Sequence, residues 1–294
     1  FPPELTAEIA KEHGLEVDMD GFDREMAVQR EQSRSSGSFS GGMDMQVSYA
    51  ELGIGSSEFV GYSLTEQGSK ISAVLSGGLS VDHAVQGQQV EVIINQSPFY
   101  PEGGGQLGDQ GTISGPNGVV VVDDTQSPVA GLIVQRGTVQ KGEISVGEAV
   151  TATVALARRL DSSRNHRGTH ILHAALRSFL GPHVRQAGSF VAPERLRFDF
   201  SHVSALTRDE ILSVQSLAND KVRGNLVVTS HETSYSQAVQ EGALAFFGDR
   251  YGDVVRVVSM APESTSIEDV FSVEVCGGTH VSNTGQIGTL VVLF

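Results

Sequence analysis

The alternation of apolar and polar residues divides the chain into three regions, of which residues 1–40 are the first. Apolar side chains recur three or four positions apart within residues 5–10 and again within residues 22–30, which is the spacing of an amphipathic helix. A stretch rich in Ser and Gly follows at residues 33–43 and is typical of a linker. We therefore expect an N-terminal helical segment that ends in a flexible connection.

Residues 41–155 consist of short alternating or β-branched runs, separated by Gly, Pro, Asn and Asp at intervals of about ten residues. The sequence GPNGV at residues 115–119 predicts a hairpin turn. The pattern predicts a small antiparallel β-barrel, with a sandwich as the alternative.

One stretch of this region, SPFYPEGGGQLGDQG at residues 97–111, does not fit a plain barrel. Its three successive glycines allow the backbone to approach another surface closely, although a bare turn would have the same composition. Gln106 follows the glycines and offers both a hydrogen-bond donor and an acceptor.

Residues 156–294 alternate between helical and strand patterns and predict an α+β unit with a mostly antiparallel sheet. Ser162 or Ser163 can cap a helix that ends near Leu180, before Gly181 and Pro182. A hairpin at residues 188–200, a helix opened by the capping box at 207–210, a helix around 236–248 and strands at 225–232, 253–260, 270–277 and 289–294 complete the predicted elements.

Composition excludes several classes of protein. No apolar run approaches the roughly 20 residues of a membrane helix, and we expect no membrane association. A single cysteine excludes an intrachain disulfide and favours a reducing, cytoplasm-like compartment. The chain opens on Phe1 rather than Met, and we interpret it as a fragment or a processed piece.

The net charge of −15 argues against a general nucleic-acid binder, which needs cations to displace counterions. Residues 158–197 differ, because they hold eight arginines against Asp161 and Glu194 and leave about −21 for the rest of the chain. This segment is either an ordinary mixed surface or a local site for an anionic ligand.

Two pairs of residues have the spacing of metal ligands. His166 and His170 lie at i and i+4 on one helical face, and His173 at i+7 could join them. Cys276 and His280 have the same spacing, and the glycines between them can turn His280 back toward the sulfur. A thiolate and imidazoles form a good tetrahedral set for Zn²⁺.

Two alternatives to a catalytic zinc site stay open. Cys276 can be a nucleophile activated by a histidine, although this leaves the His166–His170 pair unexplained. Zinc can also be purely structural, since a site closed by four protein ligands is usually structural. Hydrolysis at a closed site needs an expanded shell, a displaced ligand or a water beside the metal.

These motifs together resemble the editing region of alanyl-tRNA synthetases and the related free-standing editing proteins. The resemblance is carried by SPFYPEGGGQLGDQG, NHRGTHILHAALRSFLG, GSFVAPERLRFDFSHVSAL and EVCGGTHV, and the first 34 residues resemble the helical end of the tRNA-recognition region that joins aminoacylation to editing. The chain departs from the family at Arg167-Gly168, where Thr/Ser-Ala is more common, and at Gly103, where Ser is common. A glycine inside a helix costs about 1 kcal/mol relative to alanine.

The resemblance implies post-transfer editing, the hydrolysis of the ester of mischarged Ser-tRNA(Ala) and Gly-tRNA(Ala), in a chain that lacks the aminoacylation site. It implies a Zn²⁺ cofactor and two partners, the acceptor end of tRNA(Ala) and the remainder of the synthetase, in the cytoplasm or an organelle. The N-terminal helices argue against a free-standing editing protein, and the alternative function is a non-catalytic tRNA-binding module with a structural zinc. The implied residues are His166, His170, Cys276 and His280 as zinc ligands, Gln106 and Thr169 in the pocket and, on charge alone, Arg158, Arg159 and Arg164 on tRNA phosphates.

Overall fold

A computed structural model of the protein describes residues 52–245, 252–263 and 270–293, with isolated positions among residues 1–51. The predicted N-terminal helices and the Ser/Gly linker lie largely outside the described residues. The chain separates into two compact units, residues 1–51 and residues 52–294, and the description below concerns the second.

Residues 58–154 form a closed antiparallel barrel of six strands, which confirms the predicted barrel. The strands follow one another around the barrel in the order β10-β7-β8-β9-β5-β2, and β10 closes it by pairing with β2. The short strand β3 pairs with β2, the short strand β4 pairs with β9, and β1 pairs with β6. The strand bounds are β1 Glu58–Phe59, β2 Glu66–Ser76, β3 Leu79–Val81, β4 His83–Val85, β5 Gln89–Ile94, β6 Gln96–Ser97, β7 Gly111–Ser114, β8 Gly118–Gln126, β9 Val134–Ser145 and β10 Ala149–Val154.

Alternation along the strands builds the interior of this barrel. Along β8 the residues alternate between buried and partly exposed, so that Val120 and Val122 fill the interior with Ile113 of β7. The predicted hairpin turn at residues 115–119 joins β7 to β8.

Helix α1, Leu156–Leu180, follows the barrel directly and starts six residues before the predicted serine cap. No helix breaker separates β10 from the serines, and residues 156–160 are mostly good helix formers, so the helix begins as soon as the strand ends. Ser162 and Ser163 are buried inside the helix. The predicted C-terminal end of the helix, before Gly181, is confirmed.

Gly168 lies in the middle of α1, where the sequence predicts a cost in helix propensity. A Cβ at this position would lie 3.1 Å from Leu290 Cδ2 and 3.2 Å from Leu196 Cδ2. The glycine therefore allows these two leucines to pack directly against the helix backbone.

The remaining elements form the predicted α+β arrangement. Helix α2, Arg208–Arg223, starts with the predicted capping box at Thr207 and packs on α1 through Val214 and Ala218. The other bounds are β11 Gln186–Val191 and β12 Leu196–Phe200, which form a hairpin, β13 Val227–Ser234, β14 Val254–Ala261 and β15 Ser272–Val275, which form an antiparallel sheet, α3 Tyr235–Gln240 and a 3₁₀ turn Thr284–Ile287.

Two predicted elements of this region are wrong in extent or type. The helix around 236–248 ends at Gln240, because Gly242 adopts a positive φ and Leu244 then pairs with β15. Residues 289–293 are not a strand, because side chains of α2 replace a neighbouring strand as their partners. Asn219 bonds the N–H and the carbonyl of Leu290, and the Gln215 amide oxygen accepts from the N–H of Val292.

No described helix is long and apolar enough to cross a membrane. Three parts of the fold converge at the candidate site. They are the first half of α1, the C-terminal end of β15 and the glycine-rich loop before β7.

A candidate metal centre

Four side chains converge at the point where β15 ends against α1. One ligand atom from each of His166, His170, Cys276 and His280 lies within 4.8 Å of the others. Cys276 Sγ is 3.4 Å from His166 Nε2 and 3.3 Å from His280 Nε2, and the rings of His166 and His170 stack with centroids 5.3 Å apart. The structure thus brings together the two pairs that the spacing identified, as a cluster that could hold a metal ion.

His173, the further candidate on α1, lies outside this cluster. Its Nδ1 is 3.3 Å from Glu274 Oε1, and its ring lies near Phe198. One further turn of the helix has moved its imidazole away from the other two histidines.

The loop from Cys276 to His280 is shaped by its glycines and held from outside. A Cβ at Gly278 would collide with the His166 ring, so only glycine allows the loop to pass so close to α1. Arg256 of β14 donates to the carbonyls of Cys276 and Gly278 at 3.2 and 3.0 Å. Tyr62 donates to the carbonyl of Gly277 at 2.7 Å, and its ring lies beneath the Arg256 guanidinium.

Gln106 fixes the orientation of the His166 ring. Its side-chain oxygen accepts from His166 Nδ1 at 2.7 Å and from the Thr279 N–H at 3.0 Å. Because an amide oxygen only accepts, Nδ1 carries the proton and Nε2 presents a lone pair to the cluster. Gln106 Nε2 and Ser163 Oγ both donate to Thr279 Oγ1 at 2.9 Å, so the glutamine is itself held in place.

Glu274 performs the same task for His170. Glu274 Oε2 accepts from His170 Nδ1 at 2.8 Å, and Ser272 Oγ donates to Oε1 at 2.9 Å. His170 Nε2 is buried without a hydrogen-bond partner, as expected of an atom that binds a metal. Sequence reasoning missed Glu274, although its position two residues before Cys276 on a strand places both side chains on one face.

Buried charges determine the protonation of the cluster. Burial raises the pKa of the Cys276 thiol, but its electrostatic interactions with His166, His280 and His170 outweigh burial and hold it well below its usual range. Burial also raises the pKa of Glu274, but His170 and His173 outweigh it and lower the pKa. The site therefore contains a thiolate and a carboxylate.

The histidines respond in opposite directions. Burial lowers the pKa of His170, but the charges of Glu274 and Cys276 raise it to about 9. Burial and the charge of Arg167 hold the pKa of His280 well below its usual range, so this imidazole is neutral.

One thiolate and three imidazole nitrogens fit Zn²⁺ in chemical type and number. The hydrogen bonds from Gln106 and Glu274 leave the correct nitrogens of His166 and His170 free, as in many protein zinc sites. The donor set therefore supports the predicted cofactor, while the identity of the metal stays a prediction.

A cavity of about 200 Å³ lies against the cluster. Thr169 lines it, and its hydroxyl donates to the carbonyl of Asn165 at 3.0 Å. Gln106 is fully buried and does not line the cavity, so it reaches the site through His166. Other lining residues are Tyr100, Gly104, Ser189, Phe198 and Cys276.

The three arginines predicted to contact tRNA all bind groups of the protein itself. Arg159 is buried, forms an ion pair with Asp109 and donates to the carbonyls of two residues, Gly61 at 2.8 Å and Pro98 at 2.6 Å. Arg158 is paired with Glu194, and Arg164 with Asp161 and the Gln286 carbonyl. Arg158 and Arg164 are partly exposed, whereas Arg159 joins α1 to the barrel.

Two family models and several curated proteins match the chain. Residues 1–158 match the family model of class II (A) tRNA synthetases, and residues 255–293 match that of the threonyl and alanyl tRNA synthetase second additional domain. The alanine–tRNA ligases of Chloroflexus aurantiacus and Hydrogenovibrio crunogenus are each 44% identical over 98% of this chain, and that of Thermus thermophilus is 43% identical over 99%.

The chain spans about a third of the length of these ligases, 33% for the Chloroflexus and Thermus proteins and 32% for the Hydrogenovibrio protein. Its matches run from its first residues to the segment that carries Cys276 and His280. The chain therefore belongs to the class II (A) tRNA synthetases, and its C-terminal part is similar to the second additional domain of threonyl and alanyl tRNA synthetases.

Proposed function

We propose that this chain performs post-transfer editing, by hydrolysing the ester that joins serine or glycine to tRNA(Ala). The observation that carries the proposal is the largely buried cluster of one thiolate and three imidazoles beside a cavity of about 200 Å³. This volume lies below the roughly 300–1,000 Å³ of sites for larger ligands and suits a small aminoacyl group.

A zinc ion bound by His166, His170, Cys276 and His280 would supply Lewis acidity for polarising a carbonyl or a water. The protein contributes orientation: Gln106 and Glu274 hold two of the imidazoles, and the Arg256–Tyr62 pair holds the loop between Cys276 and His280. Such preorganisation reduces the loss of freedom that the reaction otherwise requires.

The polar wall of the cavity suits a seryl side chain. Thr169 Oγ1 donates to Asn165 and Ser189 Oγ donates to Gly104, so each hydroxyl keeps lone pairs that can accept from the serine hydroxyl. Burial, followed by the charge of Cys276, raises the pKa of Tyr100 well above its usual range, so its hydroxyl stays protonated and donates to the carbonyl of Gly103 at 3.0 Å.

The need for a second site follows from chemistry. A pocket sized for alanine cannot exclude the smaller glycine by sterics, and it rejects one added hydroxyl only weakly. The proposed partners are therefore the acceptor end of tRNA(Ala) and the remainder of the synthetase, and the compartment predicted from the single cysteine stays a prediction.

Deacylation of Ser-tRNA(Ala) and Gly-tRNA(Ala) by this chain tests the proposal. We expect wild-type protein to release both amino acids and to contain about one zinc per chain. Cys276→Ala should lose release of both together with the metal. Thr169→Val should slow release of serine but not of glycine, because glycine has no hydroxyl that could donate a hydrogen bond to Thr169 Oγ1.

Three results would favour other functions. Full activity in a folded, zinc-free Cys276→Ala protein would exclude a metal-dependent reaction. A zinc-bound wild-type protein that deacylates neither substrate would support the non-catalytic tRNA-binding module. A metal-free wild-type protein with a rapidly alkylated Cys276 would support the cysteine nucleophile.

A further inference from the structure

A second cavity, of about 410 Å³, lies next to the cavity of the metal centre. The two cavities share Gln186 and Leu244 as wall residues, so they are adjacent. The second is more open and is built from the end of α1, the start of β11 and helix α3. Its other walls include Arg177, Arg185 and Tyr235.

The charge of this cavity differs from that of the protein. The chain carries a net charge of −15, yet the described walls of the cavity include two arginines and no carboxylate. Two arginines without a neighbouring carboxylate favour an anionic ligand in this cavity, although the protein as a whole is acidic.

The two arginines differ in what they already bind. Arg177 Nη1 donates to the carbonyls of Pro182 and Val184, both at 2.7 Å, and so fixes the segment after α1. Arg185 is exposed, and its side chain forms no ion pair or hydrogen bond with any residue of the described ranges. Its backbone is anchored through Ser201, which leaves the guanidinium available for a ligand.

We propose that this second cavity receives the nucleotide that precedes the aminoacylated terminal nucleotide, with Arg185 bound to its phosphate. The inference rests on the proposed function, since an aminoacyl ester in the metal-site cavity must be followed by a ribose and a phosphodiester that continue outward. The adjacent cavity is large enough for a nucleotide, and the partly buried Tyr235 forms part of its wall.

The test compares two substrates that differ in this phosphate. Serine esterified to adenosine lacks the phosphate that Arg185 would bind, whereas Ser-tRNA(Ala) carries it. We expect Arg185→Gln to lower kcat/KM for Ser-tRNA(Ala) about tenfold, as for one charge-assisted hydrogen bond, and to leave kcat/KM for seryl-adenosine unchanged. The slope of log kcat/KM against log salt should decrease by about 0.7, the value for one single-strand phosphate.

Lys141→Gln is the matched control, because it removes the same charge from an exposed position on the barrel that lines neither cavity. It should change neither substrate by more than about twofold. Arg185→Lys should recover part of the lost activity, since a phosphate accepts from either cation.

The outcomes separate this inference from the proposed function. An equal loss on both substrates, or no loss on Ser-tRNA(Ala), would overturn the phosphate site. If the wild-type chain hydrolyses neither substrate, the proposed function fails, and binding of an uncharged acceptor-stem minihelix decides the inference. Weaker binding by Arg185→Gln than by Lys141→Gln would still support the site, and equal binding would overturn it.

Discussion

Gly278 separates Cys276 from His280 and provides the sharpest test of the metal centre. In Gly278→Ala, the new Cβ would collide with the His166 imidazole and lie 3.1 Å from Gln106 Oε1. The ring must move by about 1 Å or more to restore ordinary contact, although Gln106 holds it at 2.7 Å. Metal–ligand distances tolerate only about 0.2 Å.

The expected loss of zinc affinity in Gly278→Ala follows from the number of ligands. Displacing His166 removes one of four donors, so we expect zinc affinity to fall by more than the roughly 10–100-fold caused by altering a hydrogen bond behind a ligand. Overpacking should also lower the free energy of unfolding by about 1–3 kcal/mol. Competition with a chromophoric chelator measures the affinity, and urea unfolding measures the stability.

Gly277→Ala is the matched control. A Cβ at Gly277 meets only Tyr62 Oη, at 3.9 Å, so this variant should bind zinc within about twofold of wild type. Wild-type zinc affinity in a folded Gly278→Ala protein would refute the assignment of His166 as a ligand. Equal losses in both variants would show that the loop needs glycine for its flexibility rather than for space.

Three further predictions concern the groups around the centre. Glu274→Gln should weaken zinc binding about 10–100-fold in the same chelator assay, because a neutral amide orients His170 less strongly, whereas exposed Glu232→Gln should have no effect. At about pH 7.5 zinc binding should release about one proton, because His170 has a pKa of about 9 without metal. Zinc affinity should therefore rise up to tenfold per pH unit and level off above about pH 9. Titration calorimetry in buffers of different ionisation enthalpy measures both quantities, and pH-independent binding would contradict the prediction. Arg159→Ala should lower the free energy of unfolding by about 3–5 kcal/mol, because it leaves Asp109 buried without its ion pair; a fall in RNA affinity without a fall in stability would restore the predicted tRNA contact.

The parts of the fold that the sequence predicts are those with a local cause. The barrel follows from the two-residue alternation of its strands, and helix α2 from the capping box at Thr207. The four candidate ligands follow from spacing, since i and i+4 share a helical face and two glycines allow a tight return. None of these inferences requires knowledge of a distant contact.

The errors arise where distant side chains replace local partners. Residues 289–293 have a strand pattern, but Asn219 and Gln215 occupy their backbone groups. A charge pattern made Arg159 a candidate for tRNA, and a partner fifty residues away places it in the interior. Neither partner has a signature in the neighbouring sequence.

The glycine-rich loop before β7 is a motif that the sequence identifies correctly but whose contacts it does not predict. The three glycines predict close approach of the backbone, and a Cβ at Gly105 would indeed collide with Ser189 of β11. This approach brings Gln106 beneath α1, where it bonds His166 rather than lining the cavity.

The geometry of Gln106 has a consequence for how the centre is assembled. His166 is oriented from the barrel side by Gln106 and His170 from the sheet side by Glu274, while both rings stand on one helix. The donor set is therefore completed only when barrel, helix and sheet have packed together. Metal affinity should consequently report the packing of all three, and a barrel variant that never touches the ligands can still weaken the site through Gln106.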